Sequence, residues 1–134
     1  MIVQLTNRTI AAIKDQTKQH YPLETCGMIF GTFGSRETKI TRIVPAKNIL
    51  ESRISFEIDA EEFMKALEKA QEWQIEHLGF YHSHPGPAYP SPTDVRYMSL
   101  WPESLWLVVS SINYEIRVYQ TKENDLYNLT IRIK

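Results

Sequence analysis

Two histidines, His82 and His84, close the apolar run "HLGFYHSH", and the Pro-rich stretch "PGPAYPSPT" leads from them to Asp94. These residue types at this spacing suit a divalent metal. In an extended strand residues i and i+2 project from one face, so the two imidazoles would share a target. Neutral imidazole nitrogen binds zinc at about 2.0–2.1 Å, and catalytic zinc sites typically take three protein ligands and a water. Asp94 is the candidate third ligand. With Ser91 or Thr93 capping the helix that follows, its carboxylate falls in the first helical turn, where negative charge is favoured. Pro85, Pro87, Pro90 and Pro92 stiffen the connection and reduce the entropy lost in bringing Asp94 back to the histidines. The spacing alone does not specify a metal, because Pro-rich loops also serve as plain connectors and an aspartate at a helix start needs no ligand role.

The elements that must position these residues can be read along the chain. "IVQL" is a short strand, and "TNRTIAAIKDQTKQH" has helical spacing at Ile10, Ile13 and Thr17, with Thr6 or Asn7 as cap and an end before Pro22. "CGMIFGTF" and "ETKITRIVPA" read as strands paired around Gly34 and Ser35. "RISFEID", with Ile54, Phe56 and Ile58 alternating with polar neighbours, reads as a half-buried strand. Asp59 and Glu62 resemble a capping box at the head of a second helix whose apolar face carries Phe63, Leu67 and Ala70. "HLGFYHSH" is then a strand, "SPTDVRYMSLW" a short helix, and "SLWLVVSS", "YEIRVYQ" and "YNLTIRIK" three closing strands. The order is neither strictly βαβ nor all-β. It predicts an α+β domain over residues 1–134, with a mixed central β-sheet flanked by helices.

Composition narrows the function classes. A chain of 134 residues, 43% hydrophobic, can bury one substantial core, and its net charge of −1 gives no reason to expect nucleic acid or an anionic membrane as partner. No window approaches the roughly 18 apolar residues of a spanning helix, and no basic leader precedes an apolar stretch, so a cytoplasmic protein is expected. The lone Cys26 suits a reducing compartment and reads as a small buried hydrophobe. His20 and His77 read as surface or boundary residues, Tyr97, Trp101 and Trp106 as core or interface, and Tyr89 as either a substrate contact or a cover for apolar surface.

"HSHPGPAYPSPTD" resembles the HxHP, serine, aspartate signature of the JAMM (MPN-plus) metalloproteases, and "ETCGMIFG" resembles the strand that carries their glutamate. The resemblance runs over nearly the whole chain and looks closest to the compact prokaryotic type. It implies the MPN fold, which is similar in outline to that of cytidine deaminases. It also implies one zinc ion per chain held by His82, His84 and Asp94, Glu24 as general base, and Ser91 as a donor to the oxyanion. There is one departure: the family usually has ten residues between the second histidine and the aspartate, and here there are nine. The Ser-x-x-Asp step is intact, so the missing residue belongs to the loop before Ser91.

The activity implied is that of a zinc-dependent metallo(iso)peptidase. It would cut an amide bond beside the Gly-Gly tail of a ubiquitin-like or sulfur carrier protein. Two rivals stand beside it. A metal-free MPN-type scaffold would bind partners through its fold, but such domains typically lack the ligands. A zinc deaminase would need H-x-E and P-C-x-x-C, which one cysteine cannot supply.

Overall fold

The computed structural model describes residues 1–48 and 57–134. Its elements are β1 (Ile2–Leu5), α1 (Asn7–His20), β2 (Cys26–Thr32), β3 (Glu37–Ala46), α2 (Ala60–Glu72), β4 (Glu76–His84), α3 (Pro92–Leu100), β5 (Leu105–Ser110), β6 (Ile116–Lys122) and β7 (Asp125–Ile133). The expected strand over "RISFEID" falls largely outside the described residues; within them Ile58 forms an isolated antiparallel bridge with Asn48.

Local chemistry accounts for the helix starts. Thr6 caps α1, its hydroxyl accepting from the Thr9 amide at 3.1 Å. Asp59 caps α2 by accepting from the Glu62 amide at 3.2 Å, but the return bond of a full capping box is absent. The Glu62 carboxylate instead accepts from the Lys47 amide at 3.3 Å and so ties the helix to the end of β3. The reciprocal box occurs at α3, between Ser91 and Asp94.

The expected mixed sheet is present in strand direction, yet it does not lie open between helices. The order β1-β3-β2-β4-β5-β6-β7 closes into a barrel, because β1 pairs in parallel with both β3 and β7. Hydrophobic alternation reports which face of a strand is buried and says nothing about which edges meet, so closure was not readable from the pattern. A second parallel pair, β4 with β5, lies next to the antiparallel β2–β4 pair.

Both faces of the central strands are covered. Ile29, Leu78, Tyr81, Leu105 and Leu107 join Ile13 of α1 in one cluster. Met28, Phe30, Phe80, Trp106 and Val108 join Ala66 and Ala70 of α2 and Met98 of α3 in another. That is why "CGMIFG" and "LWLVV" read as continuous apolar runs rather than alternating ones. His77 sits at the rim of the second cluster, 5.1 Å from Phe63 and 5.0 Å from Phe80 between ring centroids, with its Nε2 bonded to the Gly79 carbonyl. Trp106 is core as expected, whereas Trp101 and Tyr97 are 43% and 57% exposed.

The β2–β4 register shifts between Ile29 and Phe30, opposite Gly79. A Cβ on Gly79 would stand 1.8 Å from the Leu105 carbonyl oxygen, a backbone atom that cannot move without parting β4 from β5. We expect Gly79→Ala to cost about 3 kcal/mol or more, the upper range for overpacking, visible as a large drop in denaturation midpoint. A wild-type midpoint would show that β5 yields at that point.

Candidate functional site

The site forms where β4 runs out into the Pro-rich loop. Residues 80, 82 and 84 of β4 share a face with α2 and α3, so the alternation that buries Phe80 also aims His82 toward Asp94 at the start of α3. His82 Nε2 lies 3.2 Å from Asp94 Oδ2 and 3.9 Å from Glu24 Oε1. Asp94 is held from behind: its Oδ2 accepts from the Ser91 amide at 2.9 Å, and its own amide donates to Ser91 Oγ at 3.1 Å. The hydroxyl hydrogen of Ser91 is not used by that cap. The shortened loop still lets Asp94 reach His82. It is pinned by Ala88, which is buried and whose carbonyl accepts from Tyr119 Oη at 2.9 Å, while Tyr89 beside it is 57% exposed.

Glu24 arrives from the other side, one residue before β2 and Thr25. It is 3% exposed, and neither carboxylate oxygen has a hydrogen-bond partner. Two bonds fix Thr25 to β4, its amide donating to Ser83 Oγ at 2.7 Å and its carbonyl accepting from the Ser83 amide at 2.8 Å. A third reaches Glu24 directly, from Asn48 Nδ2 to the Glu24 carbonyl at 3.1 Å.

Ser83 and Asn48 are positioning residues that the motif reading passed over. The available signal was Ser83 itself, a small hydroxyl residue on the opposite face of a strand otherwise filled by apolar and imidazole side chains. Ser83→Ala should leave the Thr25 amide buried without an acceptor, at a cost of about 1–3 kcal/mol. Urea denaturation should show it, and an unchanged midpoint would mean that water replaces the hydroxyl.

Burial and neighbours separate the two carboxyl groups. Burial pushes the Glu24 carboxyl up to about 8, and the negative charge of Asp94 pushes the same way. Burial raises Asp94 too, but the hydrogen bond and charge of His82, with the two bonds from Ser91, outweigh it and hold Asp94 at about 2. His84 is lowered by burial and by His82, against the pull of Asp94. Cys26 is buried, its thiol pushed up to about 12 by burial and by Glu24 and Glu62, which fits an inert core residue. His20 is exposed at the end of α1.

The donor set can be tested against zinc. Two ligand atoms on one tetrahedral ion with bonds of about 2.0–2.1 Å stand about 3.3 Å apart. His82 Nε2 and Asp94 Oδ2, at 3.2 Å, have that separation. His84 Nδ1 is buried without a partner. The His82 and His84 ring centroids are 6.5 Å apart. Two imidazoles sharing one tetrahedral ion would have centroids about 5 Å apart. Among the described residues no three such side chains already stand in a complete metal cage. The structure thus brings His82, Asp94 and Glu24 together and leaves His84 standing off, with donors that match zinc in kind. No helix among the described residues is long and apolar enough to cross a membrane.

Comparison with known proteins agrees with this architecture. Two solved structures cover 100% of the chain at 25% identity. A protein from Desulfitobacterium hafniense has a TM-score of 0.88 over 93% of its length, and one from Salinibacter ruber has 0.75 over 92%. The desampylase of Pyrococcus furiosus is 38% identical over 89 residues, and that of Haloferax volcanii 36% identical over 91. Each match spans 66% of this chain but only 60% and 63% of the respective relative, less than two thirds of either. The family described as prokaryotic homologs of the JAB domain matches residues 6–122, a span that takes in Glu24, both site histidines, Ser91 and Asp94. On that match, the chain belongs to the prokaryotic JAB-domain family.

Proposed function

We propose that this chain is a zinc-dependent metallo(iso)peptidase that hydrolyses an amide bond beside the Gly-Gly tail of a ubiquitin-like or sulfur carrier protein. The observation that carries the reading is the buried Glu24 carboxylate, without hydrogen-bond partners and 3.9 Å from His82 Nε2, which in turn faces Asp94. An unpaired carboxylate in such a place destabilises the fold and persists where it has a chemical task. The relatives lend support, since both carry the name of an enzyme, desampylase.

His82, His84 and Asp94 would hold the ion. When bound, it supplies a Lewis acid for water and carbonyl and a positive charge that favours the ionised form of Glu24. Glu24 then accepts one proton from the attacking water and passes it to the amide nitrogen. The water oxygen bonds to the carbonyl carbon, the C–N bond breaks, and a carboxylic acid and an amine are released. The free hydroxyl hydrogen of Ser91 donates to the carbonyl oxygen as charge develops there. Ser83 and Asn48 hold the backbone of Glu24 and Thr25 still, so that the proton travels over a fixed distance.

The test is cleavage of a ubiquitin-like carrier whose Gly-Gly terminus is amide-linked to a peptide, followed by mass spectrometry. Cleavage after the second glycine, lost on chelation and restored by zinc, is expected. A chain that binds no zinc in excess metal and leaves the substrate intact would be a scaffold instead.

A further inference from the structure

β6 faces the helix that carries Asp94. Alternation along the strand puts Tyr119 and Thr121 on one side and Val118 on the other, and Tyr119 accordingly joins the cluster that holds Met98 of α3, whereas Val118 joins the opposite one. The two hydroxyls on the α3 side both donate to main-chain carbonyls. Tyr119 Oη donates to the Ala88 carbonyl at 2.9 Å, three positions before Ser91, and Thr121 Oγ1 donates to the Met98 carbonyl at 3.0 Å, four positions after Asp94. The Ser91–Asp94 box therefore lies between two anchors from a single strand. We infer that Tyr119 is a positioning residue for the candidate metal site: by holding Ala88 it fixes the chain that enters Ser91, and through the reciprocal cap it fixes the Asp94 carboxylate against His82. The inference rests on the metal reading above.

Three observations carry it. The tie is buried at both ends, with Tyr119 5% and Ala88 1% exposed, so breaking it leaves a buried carbonyl unsatisfied. Burial also raises the phenol above its ordinary range against the pull of Arg117, so the hydroxyl keeps the proton it donates. Next, the anchor stands close to the box. Tyr89 and Pro90 alone separate Ala88 from Ser91, and Pro90 is buried with φ set by its ring, which leaves little chain to absorb a displacement of Ala88 before the cap. Finally, the cap transmits position to the site. The Ser91 amide donates to Asp94 Oδ2, the same oxygen that lies 3.2 Å from His82 Nε2, so a shift of Ser91 is a shift of the carboxylate relative to the imidazole.

Thr121 supplies the control, since its bond lies one turn beyond Asp94 and ties α3 to the barrel without touching the loop. Tyr119→Phe keeps the ring in its cluster and removes the donor. Thr121→Val keeps the side chain's shape and removes the other donor. Each leaves one buried carbonyl without its hydroxyl, so both should lower the denaturation midpoint to a similar degree. Only Tyr119→Phe should reach the site. In chelator-treated protein it should speed hydrogen exchange at the Ser91 and Asp94 amides about tenfold. In zinc titration it should weaken affinity about tenfold, the lower end of what outer-shell changes cost, while Thr121→Val stays within about threefold of wild type in both measurements. Exchange and affinity close to wild type in Tyr119→Phe, or changes as large in Thr121→Val, overturn the inference. If the wild-type protein takes up no zinc, the metal reading fails by itself, and the exchange rates alone decide whether Tyr119 holds the box.

Discussion

Glu24→Gln should eliminate turnover and, in the same molecule, stabilise the metal-free fold. Loss of a positioned general base costs about a hundredfold to ten-thousandfold in rate. The amide keeps the side chain's size, so zinc content should stay near wild type. The gain in stability follows from the state of the carboxyl group. Its value in the fold is about 8, against an ordinary 4.5. Between those values the native state holds a proton that the unfolded chain has released. Stability contributed by this group is therefore full below the ordinary value and falls as pH rises toward the folded one. Glutamine titrates nowhere in the range. In chelator-treated protein the variant should melt close to wild type at pH 5 and above it by a few kcal/mol's equivalent near pH 8. Equal melting curves at every pH would mean that the carboxylate has found a partner, and undiminished turnover would mean that another group is the base.

Asp94→Asn should show the complementary pattern of lost metal and a retained helix. An asparagine oxygen can still accept from the Ser91 amide, and the Asp94 amide that donates to Ser91 Oγ is backbone, so the box at the head of α3 survives in outline. A neutral amide is nevertheless a poor ligand for a divalent cation. Outer-shell changes already cost about 10- to 100-fold in metal affinity, and a ligand change should exceed that. We expect zinc titration to show affinity lower by more than about a hundredfold, with a moderate drop in denaturation midpoint in chelator at neutral pH, because the charge that His82 and Ser91 favour is gone, and little drop near pH 2, where the wild-type carboxyl is itself protonated. Retention of tight zinc would remove Asp94 from the ligand set. Collapse of the fold would mean that the carboxylate serves α3 more than the metal.

Much of the site was legible because its parts are written in short-range chemistry. The i, i+2 spacing put His82 on a defined face, and Ser-x-x-Asp specified a capping box that the structure displays. The contact of Glu24 with His82 spans 58 positions of sequence and was reachable only through a family resemblance. The roles of Ser83 and Asn48 were not legible, because their partners belong to other segments; Ser83 stood out only as a hydroxyl in an otherwise apolar and imidazole strand. The same division runs through the fold. Every strand and helix that lies within the described residues was anticipated from periodicity and caps, while the two bulges in β2 and the closure through β1 depend on which edges meet in space. Whether Tyr97 and Trp101 are core or surface was not readable, because aromatic character alone does not say which side of a helix faces water.

The closure through β1 bears on how the protein is made. Ile2 pairs with Thr130 and Leu5 with Ile133, so β1 is bonded on one edge to a strand made more than a hundred residues after it. Its other edge can join β3 early, through Ile2 with Glu37 to Leu5 with Ile40. Contacts this distant along the chain are slow to form, since loop closure must be completed before they contribute anything. Until β7 emerges, the growing chain carries an open strand edge of the kind that recruits neighbouring chains. The four residues of β1 are therefore both the seam of the closed barrel and, until β7 has been made, an edge open to pairing with other chains.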